Sequence, residues 1–349
     1  MIQKGKIKLL DSTLRDGGLC LEDAWKNNLS NNSYSLRVRT EIASQLQRAG
    51  VEIVELGSIE ISQDDKRRFA IYQSIEDISR IMPAEKQPGQ EFAALYRGPD
   101  TPLDQIPSWK PEYCKIVRVI IRYSELQKSL DFCAALKQKG YCVFIQPMLT
   151  MRYSADEIQQ VISAANDMDA DAVYFVDSYG YMQQDDVYTL FQTFDKGLHN
   201  EIPIGFHAHN NLGLAFANVK AFLQVETERV RIVDSCAMGI GQGAGNLQTE
   251  VIAAYLNQCY GKTYQYGCVL DCCENVETVW DRPLWGFSTE YLIPAIHKTA
   301  YKYSSAFRHQ YGLRYRDIDK LLANIPDELR YRYTPDNAIK LLRYHGYQV

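Results

Sequence analysis

The chain has no long hydrophobic run: no stretch of its 349 residues approaches the ~18 apolar residues of a membrane span, so a transmembrane-helix reading is excluded. It also has no basic excess. Lys plus Arg number 38 against 43 Asp plus Glu, a net charge of −5, and nothing is left over to collect on phosphates. Nucleic acid and membrane are therefore not expected partners. No CxxC pair occurs among the nine cysteines, which scatter from Cys20 to Cys273 in a chain too long to need staples. Even the cluster Cys268, Cys272 and Cys273 reads as ordinary thiols. The opening MIQKGKIKLL runs into a strand without the apolar core and cleavage site of a signal peptide, and a cytoplasmic location is expected.

What is present is a regular alternation. Short β-branched apolar runs fall at Ile7 to Asp11, Val51 to Gly57, Phe92 to Tyr96, Ile116 to Arg122, Cys142 to Met148, Ala172 to Asp177, Ile202 to His209 and Val230 to Cys236. Between them apolar residues recur at helical spacing. Val38, Ile42, Leu46 and Ala49 form one face, stopped by Gly50. Ile158, Val161, Ile162 and Ala165 form another, opened by Ser154 with Glu157 three residues on, a pair that satisfies free helix N–H groups reciprocally. Eight strand-helix units are the number that closes a (β/α)8 barrel. A doubly wound open sheet would carry a glycine-rich phosphate turn after its first strand, and this chain has Asp11-Ser-Thr-Leu-Arg-Asp-Gly-Gly18 there.

The fold class is thus α/β, a barrel over residues 1–262 with a C-terminal helical portion over 263–349. Past Gly261 the alternation stops. Leu292, Ile296 and Tyr303 are expected on one helix, Ile318, Leu321 and Leu322 on another, and Thr334-Pro335 opens a last one as cap and first-turn proline. Asn27 to Ser35, rich in Asn and Ser, is expected to be a solvated loop.

In a parallel barrel the loops at the carboxyl ends of the strands converge on one mouth. Polar residues gather at those ends: Arg15 and Asp16 after the first strand, Glu55 near the end of the second, Asp177 and Ser178 at the sixth, His207 and His209 at the seventh. Two histidines two apart on a strand share a face, and a divalent cation lets both imidazoles bind as neutral ligands. Asp16 joins them across the closing strands. Asn246, in Gly241-Gln-Gly-Ala-Gly-Asn246, either adds a carbonyl oxygen or caps the following helix. Arg15 is costly in a barrel mouth unless it faces an anion, either a substrate carboxylate or enolate or a structural partner such as Glu55. A metal chelating a 2-oxo acid beside a guanidinium is machinery for an enolate, hence for carbon–carbon bond chemistry. The Schiff-base route needs an inward lysine, and Ala172 to Asp177 and Ile202 to His207 contain none.

Asp11-Ser-Thr-Leu-Arg-Asp-Gly17, His207-Ala-His-Asn-Asn-Leu-Gly-Leu214 and Gly239-Ile-Gly-Gln-Gly-Ala-Gly-Asn246 together resemble the metal-dependent barrel superfamily of pyruvate aldolases, hydroxymethylglutaryl-CoA lyases and isopropylmalate and homocitrate synthases. The nearest branch is that of the 4-hydroxy-2-oxovalerate aldolases, whose Tyr-Ser-Ser segment is matched by Tyr303-Ser-Ser-Ala-Phe-Arg-His309. The resemblance implies an aldolase acting on a 2-oxo acid and an aldehyde. Asp16, His207 and His209, with Asn246 as in other branches, would hold Mn²⁺ or Mg²⁺. Arg15 would stabilise the pyruvate enolate, Ser178 would lie near the substrate carboxylate, and Tyr303 would move a proton.

One departure bears on mechanism. The aldolases place a catalytic histidine four residues after the arginine, and here that residue is Leu19, which takes no proton. Tyr303, Tyr96 or a water would then serve as base, or the aldehyde half of the reaction differs. Residues from Ile325 to Val349 also lack the closing segment of those aldolases, so docking to an acylating aldehyde dehydrogenase is not expected; association into a homo-oligomer is left open. The competing readings are a Claisen-type synthase joining an acyl-CoA to a 2-oxo acid, and a metal-binding barrel without catalysis that acts as a binding partner.

Overall fold

The nine strands among the described residues are built from runs dominated by Val, Ile, Leu, Phe and Ala. They are β1 (Ile7–Asp11), β2 (Ile53–Ile59), β3 (Ile71–Tyr72), β4 (Glu91–Tyr96), β5 (Ile116–Ile121), β6 (Cys142–Pro147), β7 (Ala172–Asp177), β8 (Ile204–Ala208) and β9 (Arg231–Ser235). The computed structural model describes residues 7–26, 34–61, 70–83, 86–279 and 285–347. Residues 27–33 of the expected loop lie outside them. The strands are parallel in the order β1-β9-β8-β7-β6-β5-β4-β2, and β1 pairs with β2 to close the ring. This is a (β/α)8 barrel, with β3 added to β2 outside the ring through two residues.

The second strand begins two residues later than its composition suggests and runs past Gly57 to Ile59. Its register against β4 shifts between Glu55 and Ser58, and β3 pairs with the extra segment. Local signals set the helix ends elsewhere. Gly50 ends Leu36–Ala49 at φ 85°, a left-handed conformation costly for residues with a Cβ. Ser154 and Glu157 form the reciprocal cap, at 3.3 and 2.8 Å. No described helix is long and apolar enough to cross a membrane.

Alternation along the strands divides the barrel lumen into two storeys. The lower is apolar, packed by Leu10, Ile53, Ala93, Ile116, Phe144, Ala172, Tyr174 and Ile232. Two residues further along, the same faces turn polar: Ile53 gives way to Glu55, Ile116 to Arg118, Phe144 to Gln146 and Ile232 to Asp234, all buried. Tyr174 lies across the floor, and its ring takes the space a Cβ at Gly205 would fill, 2.3 Å from the nearest ring atom. The side chain of Arg118 sits over that ring, 4.8 Å from its centroid.

The helix Tyr266–Glu277 follows the boundary expected at 262/263, yet Val269, Cys272 and Val276 pack into the barrel's outer core. A separate core begins at Ile293 and gathers Tyr303, Phe307, Ile318, Leu321, Leu322, Leu341 and Leu342. Here the expected single helix through Leu292, Ile296 and Tyr303 is two helices, Thr289–Ile296 and Lys302–His309, and Ile296 is exposed. A left-handed residue at Lys298 (φ 53°) breaks the run. Thr334 caps Pro335–Tyr344, its hydroxyl accepting from the Asn337 N–H at 3.0 Å.

Candidate active site

The first strand ends in a tight turn of π type, Thr13–Gly17, which tips both Arg15 and Asp16 into the mouth. Thr13 N–H binds the Asp11 carboxylate at 2.9 Å and the Thr13 hydroxyl accepts from Ala237 N–H at 2.7 Å, fixing that turn to the last strand's loop. His207 is the last residue but one of β8 and His209 lies just past its end, bridged to Asn246. Their rings lie 5.1 Å apart between centroids at 77°. Asp16, His207 and His209 each offer a ligand atom, and these atoms all lie within 4.8 Å of one another.

Charges in the upper storey form one connected chain. Arg15 binds Glu55 at 2.8 Å and Asp16 at 2.6 Å. Glu55 also accepts from Arg118 at 2.8 Å, and Arg118 pairs in turn with Asp234. Asp234 receives His207 Nδ1 at 2.8 Å. An ionised Asp234 can only accept, so Nδ1 donates to it and the ring is oriented by that bond with Nε2 as its other nitrogen. Asn246 donates its amide to Asp16 at 2.6 Å, and its Oδ1 is buried without a partner. A Cβ at Gly241 would come within 2.1 Å of that amide and 2.9 Å of the Asp16 carboxylate, so the glycine-rich loop is what allows Asn246 to reach Asp16. Asn246 does not cap the next helix, which starts at Thr249 after Gln248.

Protonation follows from this arrangement. Burial opposes the charge on Asp16, but Arg15, His209 and His207 hold its carboxyl well below the usual range. Burial pushes His209 down to about 4, with Asp16 opposing, so the ring is neutral at pH 7 as a metal ligand must be. Asp234 is likewise held low despite burial, by Arg118 and by the His207 hydrogen bond.

These groups open into a cavity of about 330 Å³. Arg15, Asp16, Leu19, Ser178, His207 and His209 all line it. Ser178 Oγ accepts from Leu149 N–H at 2.9 Å. The opposite wall comes from the C-terminal portion: Ala300, Tyr301 and Lys302 from one segment and Tyr331, Arg332 and Tyr333 from another. Tyr179, after β7, ties the two together through its hydroxyl on the Tyr331 carbonyl at 2.7 Å.

Tyr303 is not part of this wall. It is fully buried in the C-terminal core, and its hydroxyl faces the carbonyls of Leu329 at 2.7 Å and Arg332 at 3.0 Å. Helix geometry turns it inward, while Tyr301, two residues earlier, faces the cavity. Tyr96 is also remote, edge-on against Phe132 in the outer core. Sequence reasoning missed Arg118, Asp234, Tyr179 and Tyr301. The first two carried a signal, an ionisable residue at an inward strand position directly above an apolar one.

Among curated proteins, the 4-hydroxy-2-oxovalerate aldolase of Geobacillus genomosp. 3 is 30% identical over 257 residues, 73% of this chain and 72% of that protein. The enzyme of the same name from Pelotomaculum thermopropionicum is 28% identical over 81% of this chain and 80% of its own. Among solved structures, the HMG-CoA lyase of Bacillus subtilis superposes with a TM-score of 0.63 at 18% identity, covering 80% of this chain and 95% of that one. The carboxyl transferase domain of Rhizobium etli pyruvate carboxylase with pyruvate reaches 0.67 at 14% identity, over 97% of this chain and 62% of that one. These structures share the fold. The curated names support an enzyme of aldolase or lyase type. The HMGL-like family matches residues 6–265, three quarters of the length and the whole strand ring with its polar mouth, and the chain belongs to that family.

Proposed function

We propose that the protein is a divalent-metal-dependent aldolase that makes or breaks a carbon–carbon bond beside a 2-oxo acid, with pyruvate as the enolised fragment. The observation that carries this reading is the convergence of Asp16, His207 and His209 ligand atoms within 4.8 Å beneath Arg15. A carboxylate and two imidazoles suit a divalent ion, taken as Mn²⁺ or Mg²⁺ from the family resemblance, and they leave open positions for a chelating substrate. Asn246 holds the Asp16 carboxylate through its amide, and its Oδ1, without a hydrogen-bond partner among the described residues, is the atom we assign as a fourth donor. When bound, the ion would act as a Lewis acid on the keto oxygen.

The protein's own groups then divide the work. Arg15 is held by Glu55 and Asp16, so its remaining N–H groups are oriented without being free to swing away, and they stabilise the oxygen that becomes negative. Ser178 stands near the substrate carboxylate. Leu19 replaces a basic group on the aldehyde side, and we assign proton handling there to Tyr301, the hydroxyl on the facing wall that Tyr303 was expected to supply.

The test is proton exchange. Purified protein with Mn²⁺ should exchange the methyl protons of pyruvate into deuterated water, as followed by proton NMR, and Arg15→Ala or His207→Ala should abolish it. Absence of exchange with the metal site fully occupied would overturn the reading.

A further inference from the structure

The cavity is strongly biased in charge although the chain as a whole is acidic. Among the described residues four cationic side chains line it, Arg15, Arg97, Lys302 and Arg332, against a single carboxylate, Asp16. Arg15 and Asp16 neutralise each other at 2.6 Å. The other three cations come from the entrance side and the C-terminal wall.

Arg97 is paired with Glu60 at 2.7 Å and Lys302 with Asp23 at 3.0 Å. Neither carboxylate lines the cavity. Glu60 faces a separate cleft beyond Arg97, and Asp23 a separate one beyond Lys302. Both pairs are substantially exposed, the kind whose net contribution is about 0–1 kcal/mol, so each cation can turn part of its hydrogen bonding inward at little cost. Arg332 makes no ion pair among the described residues. Positive charge is thus gathered where the fragment distant from Asp16 and the histidines must sit.

We propose that the aldehyde fragment carries its own anionic group, a carboxylate or a phosphate, which Lys302 and Arg332 recognise from the C-terminal wall with Arg97 across the entrance. The aldol product is then a 4-hydroxy-2-oxo acid with a second anion at its far end. This rests on the reading that the cavity takes a 2-oxo acid, and it adds the class of the second substrate. A guanidinium and an ammonium differ in what they favour. The planar fork of Arg332 suits bidentate oxyanions of either kind, so both sources remain to be separated by measurement.

Binding separates this proposal from enolisation. Full-length protein loaded with Mn²⁺ is titrated calorimetrically with 2-oxoadipate and with 2-oxohexanoate, equal in chain length and differing in the distal carboxylate. A third arm uses 2-oxo-5-phosphonopentanoate. At least about tenfold tighter binding of one acidic ligand over 2-oxohexanoate is expected. The larger preference identifies carboxylate or phosphate. Lys302→Gln with Arg332→Gln should erase the preference, and Arg332→Lys should retain part of it. Equal affinities, no binding of the acidic ligands, or a preference that survives the double variant would overturn the proposal. Failure of pyruvate exchange would instead strike the enolate reading and leave the binding ratio to be read independently.

Discussion

The cavity has two unlike walls. One is built by strand ends and holds a connected set of buried charges, Arg15, Asp16, Glu55, Arg118, Asp234 and His207, each paired with the next. The other is built by the C-terminal segments and offers tyrosines and loosely paired cations. Rigid, mutually constrained groups suit the bond chemistry proposed for the enolised fragment. Adaptable, partly solvated groups suit recognition of a variable one. The family match ends at residue 265, so the second wall lies beyond it.

The sharpest way to break this contrast is at the proposed metal set. Asp16→Asn removes the anionic ligand and should eliminate both Mn²⁺ binding, read by electron paramagnetic resonance, and pyruvate exchange. Next comes Arg118→Met. It leaves Glu55 and Asp234 buried beside each other's charge with no cation between them, and urea unfolding should register a loss of about 3–5 kcal/mol. Replacing Leu19 with His should change aldehyde cleavage by roughly 10²-fold while moving pyruvate exchange much less, because the two proton transfers use different groups. Equal changes in both would show that the walls are not separate in function.

Acid sensitivity probes the first wall alone. Folded His209 takes a proton only near pH 4, whereas the unfolded chain takes it near the ordinary value of 6.5. Lowering pH through that interval therefore favours unfolding. Asp11 and Asp177, whose carboxyls burial raises to about 6 and about 7, act in the opposite sense, so the readout is the difference: metal-free protein should lose more stability between pH 6.5 and 4 than its His209→Gln variant in chemical denaturation. The smallest effect is expected at Tyr303→Phe. It strips a donor from two carbonyls and should cost about 1–3 kcal/mol in stability while leaving exchange unchanged.

The barrel was legible because eight β-branched runs alternate with helical faces, and the convergence of Asp16, His207 and His209 because His207-x-His209 has strand spacing and Asp16 sits in the first strand's turn. Arg118 and Asp234 were hidden inside strands whose apolar neighbours dominate the pattern, although the step from Ile116 to Arg118 and from Ile232 to Asp234 on one face marks where the lumen turns polar. The C-terminal wall was not legible. Which of Tyr301 and Tyr303 faces the cavity depends on where a helix starts, and a shift of two residues turns a side chain by about 200° on the 3.6-residue period. Leu292, Ile296 and Tyr303 obeyed helical spacing by coincidence across a break at Lys298.

The Tyr174 ring, lodged against Gly205 beneath Arg118, stoppers the lumen. A vessel corked at its base has a single side for traffic, so on the reading given above both fragments come and go through the mouth. The one seated deepest arrives first and departs last. With the proposed pyruvate innermost and the aldehyde across its exit, compulsory-order kinetics are expected, pyruvate being the competitive product inhibitor against the joined substrate and the aldehyde the noncompetitive one.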